Sequence, residues 1–255
     1  MTFWSHVNTA VRITAVPIDL ERLTAPNPSP MTLEGTNTYV VGRDPAVVID
    51  PGPDDAGHIE AIREAAARRG GIGTVLLTHD DADHLAGVEP LGIEPARPAD
   101  GETVAGLIAL ATPGHAAEHL CFLAPDGDGL ACFCGDLILG QGSTIVGPRD
   151  FGGSLADYMD SLRKLQKLDL TVLYPGHGPE VQDPQAKIAE YIAHRQERED
   201  RLVAALERGE RSRAALLAEV WDDVPEELRM PAGIAMQAHL EKLQDEGRLP
   251  ADLRD

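Results

Sequence analysis

The sequence predicts an α/β protein followed by a small helical segment, and three observations carry that expectation. Short apolar runs bounded by Gly, Pro and Asp recur between residues 37 and 174, the pattern of strands interrupted by tight turns. Two stretches with apolar residues at helical spacing lie among them. From Lys187 the chain becomes helical in pattern, charged and poor in β-branched residues. A length of 255 residues suits one large domain and a small appendage.

Asn37–Val41 reads as a strand closed by the turn Gly42-Arg43-Asp44-Pro45, and Ala46–Ile49 as the next, stopped at Asp50-Pro51-Gly52-Pro53. A helix is expected over 58–69, because Ile59, Ile62 and Ala66 share a stripe and Gly70-Gly71 ends it. Residues 74–77 form a strand. Further strands are expected at Leu107–Ala111, 119–123 and 130–134, the last two joined by Pro125-Asp126-Gly127-Asp128-Gly129, a hairpin signal. Leu155, Tyr158, Leu162 and Leu165 predict a helix over 155–168, and 171–174 is a final strand. Beyond Asp183-Pro184, Ile188, Ile192, Leu202 and Leu206 supply apolar faces, and breaks at Gly209 and Pro225 predict three or four short helices. The expected division is therefore 1–186 and 187–255.

The formal net charge is −20. Residues 1–186 hold 11 Lys/Arg against 26 Asp/Glu (−15), and residues 187–255 hold 11 against 16 (−5). Neither part has the basic footprint of a general nucleic-acid binder. No apolar run approaches the roughly 18–20 residues that span a bilayer, and the N-terminus lacks the pattern of a secretory signal, so a cytoplasmic location is expected. Three cysteines, Cys121, Cys132 and Cys134, do not make a disulfide framework. Cys132 and Cys134 alternate with Phe133 in an apolar strand and are expected to be buried.

The sharpest feature follows the 74–77 strand. His79-Asp80-Asp81-Ala82-Asp83-His84 places two imidazoles and three carboxylates in six residues. Their mutual repulsion is costly unless a cation sits among them. Later strands also end in candidate ligands: His115 after Thr112-Pro113-Gly114, Asp136 after Cys134-Gly135, and His177 after Tyr174-Pro175-Gly176. Each of these turns carries a Gly that lets the backbone pass close to a site, and strand ends are stiff supports for a metal site.

Together and in this order, these motifs resemble the metallo-β-lactamase-fold hydrolase superfamily over roughly residues 15–185. Asn27–Thr32, Gly35–Tyr39, Ile49-Asp50-Pro51-Gly52 and the stretch from Thr112 to His119 are similar to its β-lactamase-2-like branch, as is the C-terminal segment around His194–Glu199. The resemblance implies a four-layer αβ/βα sandwich with a winged-helix-like C-terminal domain and the metal site at one sheet edge. It implies His79 and His115 as ligands of a first metal, Asp83, His84 and His177 as ligands of a second, and Asp136 as the bridge.

One letter departs from the family pattern: Asp81 stands where a second His is expected. Either Asp81 ligates the first metal through oxygen, or it points to solvent and leaves that site weak. With Asp83, Asp136 and a bridging hydroxide, two dications carry roughly +1, and Asp81 brings this near zero. Zinc is the expected metal, and the harder oxygen ligand shifts preference toward manganese or iron. His119 is either a contact of the site or the polar first residue of a strand. Asp50 either orients a ligand histidine or makes an Asx-type turn. His6, His58, His194 and His239 are expected at the surface, and the acidic faces of the tail helices in solvent.

The resemblance implies a binuclear metal-dependent hydrolase in which a metal-bound hydroxide attacks a small ester or thioester, with Asp83 orienting it and carrying its proton. The partner is then a small-molecule substrate, with no membrane, and a homodimer is compatible. Two alternatives share the fold: an endoribonuclease or phosphodiesterase, open to a short RNA despite the charge, and an iron-dependent redox enzyme of the persulfide dioxygenase kind. A third, a regulatory protein that binds DNA or protein through its C-terminal part, is opposed for DNA by that part's −5 charge.

Overall fold

The computed structural model describes residues 18–253. The first sheet runs β1 (Leu20–Thr24), β2 (Asn37–Val41), β3 (Ala46–Ile49) and β4 (Ile72–Leu76), antiparallel except for the β3/β4 pair. Helix α1 (Ala56–Ala67) connects β3 to β4, and their parallel pairing requires such a crossover. Asp55 caps α1 by accepting from the His58 amide at 2.8 Å. Short helices α2 (Ala82–Leu85) and α3 (Val88–Leu91) follow β4. The second sheet orders β5 (Thr103–Val104), β6 (Leu107–Ala111), β7 (Leu120–Asp126), β8 (Gly129–Gly135) and β9 (Leu170–Pro175), with only β8/β9 parallel and α4 (Leu155–Leu165) between them.

Side-chain alternation along the strands sorts the apolar residues into layers. Tyr39, Val41, Val47 and Ile49 face Phe122, Phe133, Val172 and Tyr174 of the other sheet, forming the inter-sheet core. Val40, Val48 and Val75 point the other way, onto Ile59 and Ile62 of α1. Leu110, Cys121, Cys132 and Leu173 pack against Leu155, Tyr158 and Leu162 of α4 and Ile188 and Tyr191 of α5 (Pro184–Glu207). The result is the expected helix–sheet–sheet–helix sandwich. With few aromatics, the centre relies on one cluster: Tyr39 lies 5.2 Å from Phe133 and 5.5 Å from Tyr174, ring centre to ring centre. All three cysteines are free and buried.

The C-terminal segment holds α5, α6 (Arg213–Val220) and α7 (Arg229–Asp245). They bury a core of their own around Leu202, Leu206, Leu216, Trp221, Met236 and Leu240. The expected division at 186/187 falls in the first turn of α5, whose early residues join the sheet core and whose late residues join this helical one. Among the described residues, no helix is long and apolar enough to cross a membrane.

The structure differs from the sequence expectation in three respects. The tail begins with a 24-residue helix, not a short one. Its charged residues are not all solvated: Arg195, Arg198 and Glu199 are buried, and Glu199 is held by Lys242 and Arg248, each at 2.8 Å. Nor are the histidines superficial. His58 is 5% exposed and His239 only 1%. The ring nitrogen Nε2 of His58 lies 2.8 Å from the Thr38 hydroxyl, a partner 20 residues away that periodicity cannot reveal. His194 is half-buried, and His6 lies outside the described residues.

Candidate metal centre

The candidate ligands meet at the edge where the two sheets come together. β4 ends at Leu76 and delivers His79, Asp81, Asp83 and His84; β6, β8 and β9 end just before His115, Asp136 and His177. The β2 edge clasps the His177 loop: the Asn37 side-chain amide donates to the carbonyls of Pro175 and Gly178, and the Tyr39 hydroxyl donates to Pro175. Gly176 has no room for a side chain. A Cβ there would lie 2.4 Å from Oδ1 of Asp136 and 2.6 Å from His84.

Ligand atoms gather in two groups, His79 with His115 and Asp136, and Asp83 with His84 and His177. Asp136 spans both. Its Oδ2 is 3.3 Å from Nε2 of His177 and 4.0 Å from Nε2 of His115, and its Oδ1 is 3.5 Å from Nε2 of His84. Asp83 lies 3.3 Å from Nε2 of His177 and 3.7 Å from that of His84. Asp81 reaches inward: its Oδ2 is 3.4 Å from Nε2 of His115 and 3.5 Å from Nε2 of His79. Although Asp81 occupies the N-cap position of α2, its side chain makes no cap bond there. Asp80 points away, paired with Arg97.

The four imidazoles share one orientation, with Nε2 inward and Nδ1 engaged behind. His84 donates from Nδ1 to Asp50 at 3.0 Å, His115 to the Ile145 carbonyl at 2.8 Å, and His177 to the Gly35 carbonyl at 3.3 Å. His79 donates to the Thr78 hydroxyl at 2.9 Å, which in turn donates to Asp50 at 2.7 Å. Asp50 thus orients a histidine, one of its two sequence readings, and also accepts from the Thr78 amide at 2.7 Å. The inner nitrogen of His79 and Oδ1 of Asp136 are buried without a hydrogen-bond partner, which a folded protein rarely tolerates.

These groups fit divalent cations. At metal–ligand distances of about 2.0–2.2 Å, the edge of a ligand tetrahedron is about 3.3–3.6 Å, close to most of the separations above. Charge points the same way. Burial opposes ionisation of Asp136, but His177 and His84 hold its pKa well below the usual carboxylate range. The imidazoles of His115 and His79 hold Asp81 low as well. Burial would depress His177, yet Asp136 beside it pushes it up to about 9. Ionised carboxylates therefore demand positive charge at the inner nitrogens.

His119 is buried against the same cluster, 5.3 Å from His79, ring centre to ring centre. Its Nδ1 is 2.9 Å from the Thr112 hydroxyl, its Nε2 has no partner, and burial pushes its pKa well down. Residues that sequence reasoning missed surround the centre. The Thr36 hydroxyl donates to Asp83 at 3.0 Å. From α5, Arg195 donates to the Ser143 hydroxyl at 3.1 Å and to the Thr144 carbonyl, fixing the loop that carries the His115 acceptor. A cavity of about 350 Å³ opens beside His115 and Asp136. Thr36 and Arg195 lie in segments that carry the resemblance, but their roles depend on partners far away in sequence, which no local pattern gives.

Residues 31–92 and 88–177 match the family model described as the metallo-beta-lactamase superfamily, and residues 212–251 match the beta-lactamase associated winged helix domain. The chain is 35% identical over 258 residues to the atrochrysone carboxyl ACP thioesterase of Aspergillus fumigatus, covering 92% of this chain and 75% of that protein. It is 32% identical over 261 residues to the beta-lactamase-like protein 2 homolog of Caenorhabditis elegans, covering 89% and 84%. It spans 66% of the length of several fungal lactamase-like proteins that it matches. A crystal structure of a metallo-beta-lactamase family protein from Thermus thermophilus superposes with a TM-score of 0.72 at 25% identity, covering 89% of this chain and 94% of that one.

Proposed function

The chain belongs to the metallo-β-lactamase superfamily, and we propose that it is a binuclear metal-dependent hydrolase of small thioesters. The observation that carries this reading is the inward convergence of four imidazole nitrogens on three carboxylates with tetrahedral-edge spacings. His79, Asp81 and His115 would hold one ion, Asp83, His84 and His177 the other, and Asp136 both. Zinc suits the imidazoles, and the oxygen of Asp81 favours manganese or iron more than a third His would. Two divalent ions there would supply an activated water and would polarise the scissile carbonyl. Residues 1–186 form the catalytic part and 187–255 the helical part in this reading.

The chain's own groups do the positioning and the proton handling. Asp50, Thr78, Ile145 and Gly35 fix each imidazole so that Nε2 faces the centre. Asp83, 31% exposed and steadied by Thr36, takes the proton released by the attacking water. Among the described residues, the other imidazole nitrogens at the centre are either engaged or buried. Asp83 is then the one group placed to return a proton, so a leaving group that needs little protonation is favoured. A thiolate, with a pKa of about 8.5, departs unprotonated far more readily than an alkoxide or amide nitrogen. The similarity to a protein named as an ACP thioesterase supports the same class, and the net charge of −20 opposes polyanionic substrates.

The test assays the zinc- or manganese-loaded full chain on an acyl thioester, the matching oxygen ester, a phosphodiester and a short single-stranded RNA. Thioester hydrolysis is expected, lost on the order of a thousandfold in a folded Asp136→Ala variant. Cleavage confined to the phosphodiester or RNA would overturn the thioester reading.

A further inference from the structure

The cavity beside the centre is built by parts of the chain far apart in sequence. Its inner end is His115 and Asp136. One wall comes from Met31 and Leu33, a second from the loop ending at Ile145, and the far wall from the C-terminal helical part through Trp221, Leu228 and Ala235. The lining is largely apolar. The two arginines that border it are already engaged. Arg195 bonds to Ser143 and Thr144 and lies 5.4 Å from the Tyr158 ring centre. Arg198 pairs with Asp223 at 2.6 Å and lies 5.7 Å from the Trp221 ring centre.

An apolar chamber that begins at a reacting centre suits an apolar group attached to the scissile carbonyl. We propose that this cavity is the acyl-binding site, that it selects uncharged apolar acyl groups of medium length or aromatic character, and that the C-terminal helices set its upper size limit. The proposal rests on the thioesterase reading. At about 30 Å³ per non-hydrogen atom, the share of a molecule in liquid water, 350 Å³ accommodates roughly a dozen such atoms. Acetyl groups leave it mostly empty, and palmitoyl groups exceed it. The bond cleaved is the acyl carbon–sulfur bond; water supplies oxygen to the acid, and the proton goes to the thiol.

Two measurements on the metal-loaded full chain separate this proposal from the reading beneath it. The first is kcat/KM for acetyl, butanoyl, octanoyl, benzoyl, palmitoyl and ω-carboxyoctanoyl thioesters of N-acetylcysteamine. The second is binding of the corresponding amides, which resist turnover, followed by isothermal titration calorimetry. We expect both to rise from acetyl to octanoyl by at least thirtyfold, since each buried methylene is worth about fourfold, and to fall for palmitoyl. Ala235→Phe, which fills the far wall, and Met31→Trp, on an exposed loop and so safe for folding, should each cut the octanoyl-to-acetyl ratio at least fivefold. Octanoyl amide binding without hydrolysis of any thioester would overturn the enzyme reading and leave the apolar site standing. Thioester hydrolysis indifferent to chain length, or a preference for the ω-carboxy acyl group, would overturn the site.

Discussion

The carboxylate of Asp81 lies 3.4 Å from Nε2 of His115 and 3.5 Å from Nε2 of His79, although its side chain is 59% exposed. An exposed aspartate with no inward partner would turn to water, so this pose suits the proposed role of Asp81 as an oxygen ligand of the first ion. Asp81→Ala should lower affinity at the first site at least tenfold and leave the second site intact, as read by metal titration. Asp81→His should shift the metal preference toward zinc. If neither substitution changes metal binding, Asp81 is a bystander.

Asp50 accepts from the Thr78 amide, the Thr78 hydroxyl and Nδ1 of His84, and its backbone is left-handed, with φ 51°. Asn tolerates that backbone but presents an amide where two donors need an acceptor. Asp50→Asn should weaken the second metal site roughly 10- to 100-fold with little change in secondary structure by circular dichroism. Unchanged affinity would show that His84 needs no support behind it.

Arg195 tests the opposite half. Its bonds to Ser143 and Thr144 hold the loop whose Ile145 carbonyl accepts from His115, so the C-terminal part is tied to the first site. Arg195→Met should reduce affinity at the first site about tenfold and spare the second. Equal weakening of both sites would point to general destabilisation instead.

His239 gives a pH prediction far from the centre. It is buried against Trp221 with both ring nitrogens unpartnered, and burial, reinforced by the charges of Arg195, Lys242 and Arg198 and by His194, pushes its pKa down to about 3. The unfolded chain takes up this proton near pH 6.5, whereas the folded chain refuses it. Its contribution is therefore fully present above about pH 6.5 and is lost as pH falls toward 3, at about 1.4 kcal/mol per pH unit. Denaturant melts of the native chain and His239→Leu should diverge in slope between pH 6.5 and 4. Parallel profiles would show that His239 is protonated in the fold.

Much of this architecture is legible in the sequence, for physical reasons. β2, β3 and β6 are apolar runs with breakers at their ends, and the candidate ligands follow strand ends, where motif and position coincide. Four-residue helices such as α2 and α3 bury too little to leave a periodic trace. The length of α5 is hidden because Arg195, Arg198 and Glu199 look like solvent-facing charge, and only tertiary partners such as Asp223, Lys242 and Arg248 allow their burial. Trp221 reaches the cavity wall from a distant part of the chain, which no local pattern records. Asp50 has two readings of equal weight in the sequence, and only the position of His84 decides between them.

The most direct test of the central claim is the metal content of the full chain, purified without added metal, reconstituted with zinc or manganese and measured by mass spectrometry beside thioesterase activity. We expect about two ions per chain, falling to at most one in His115→Ala, with activity tracking the second ion bound. A chain that is active with no bound metal, or that stays active in Asp136→Ala, would contradict the account.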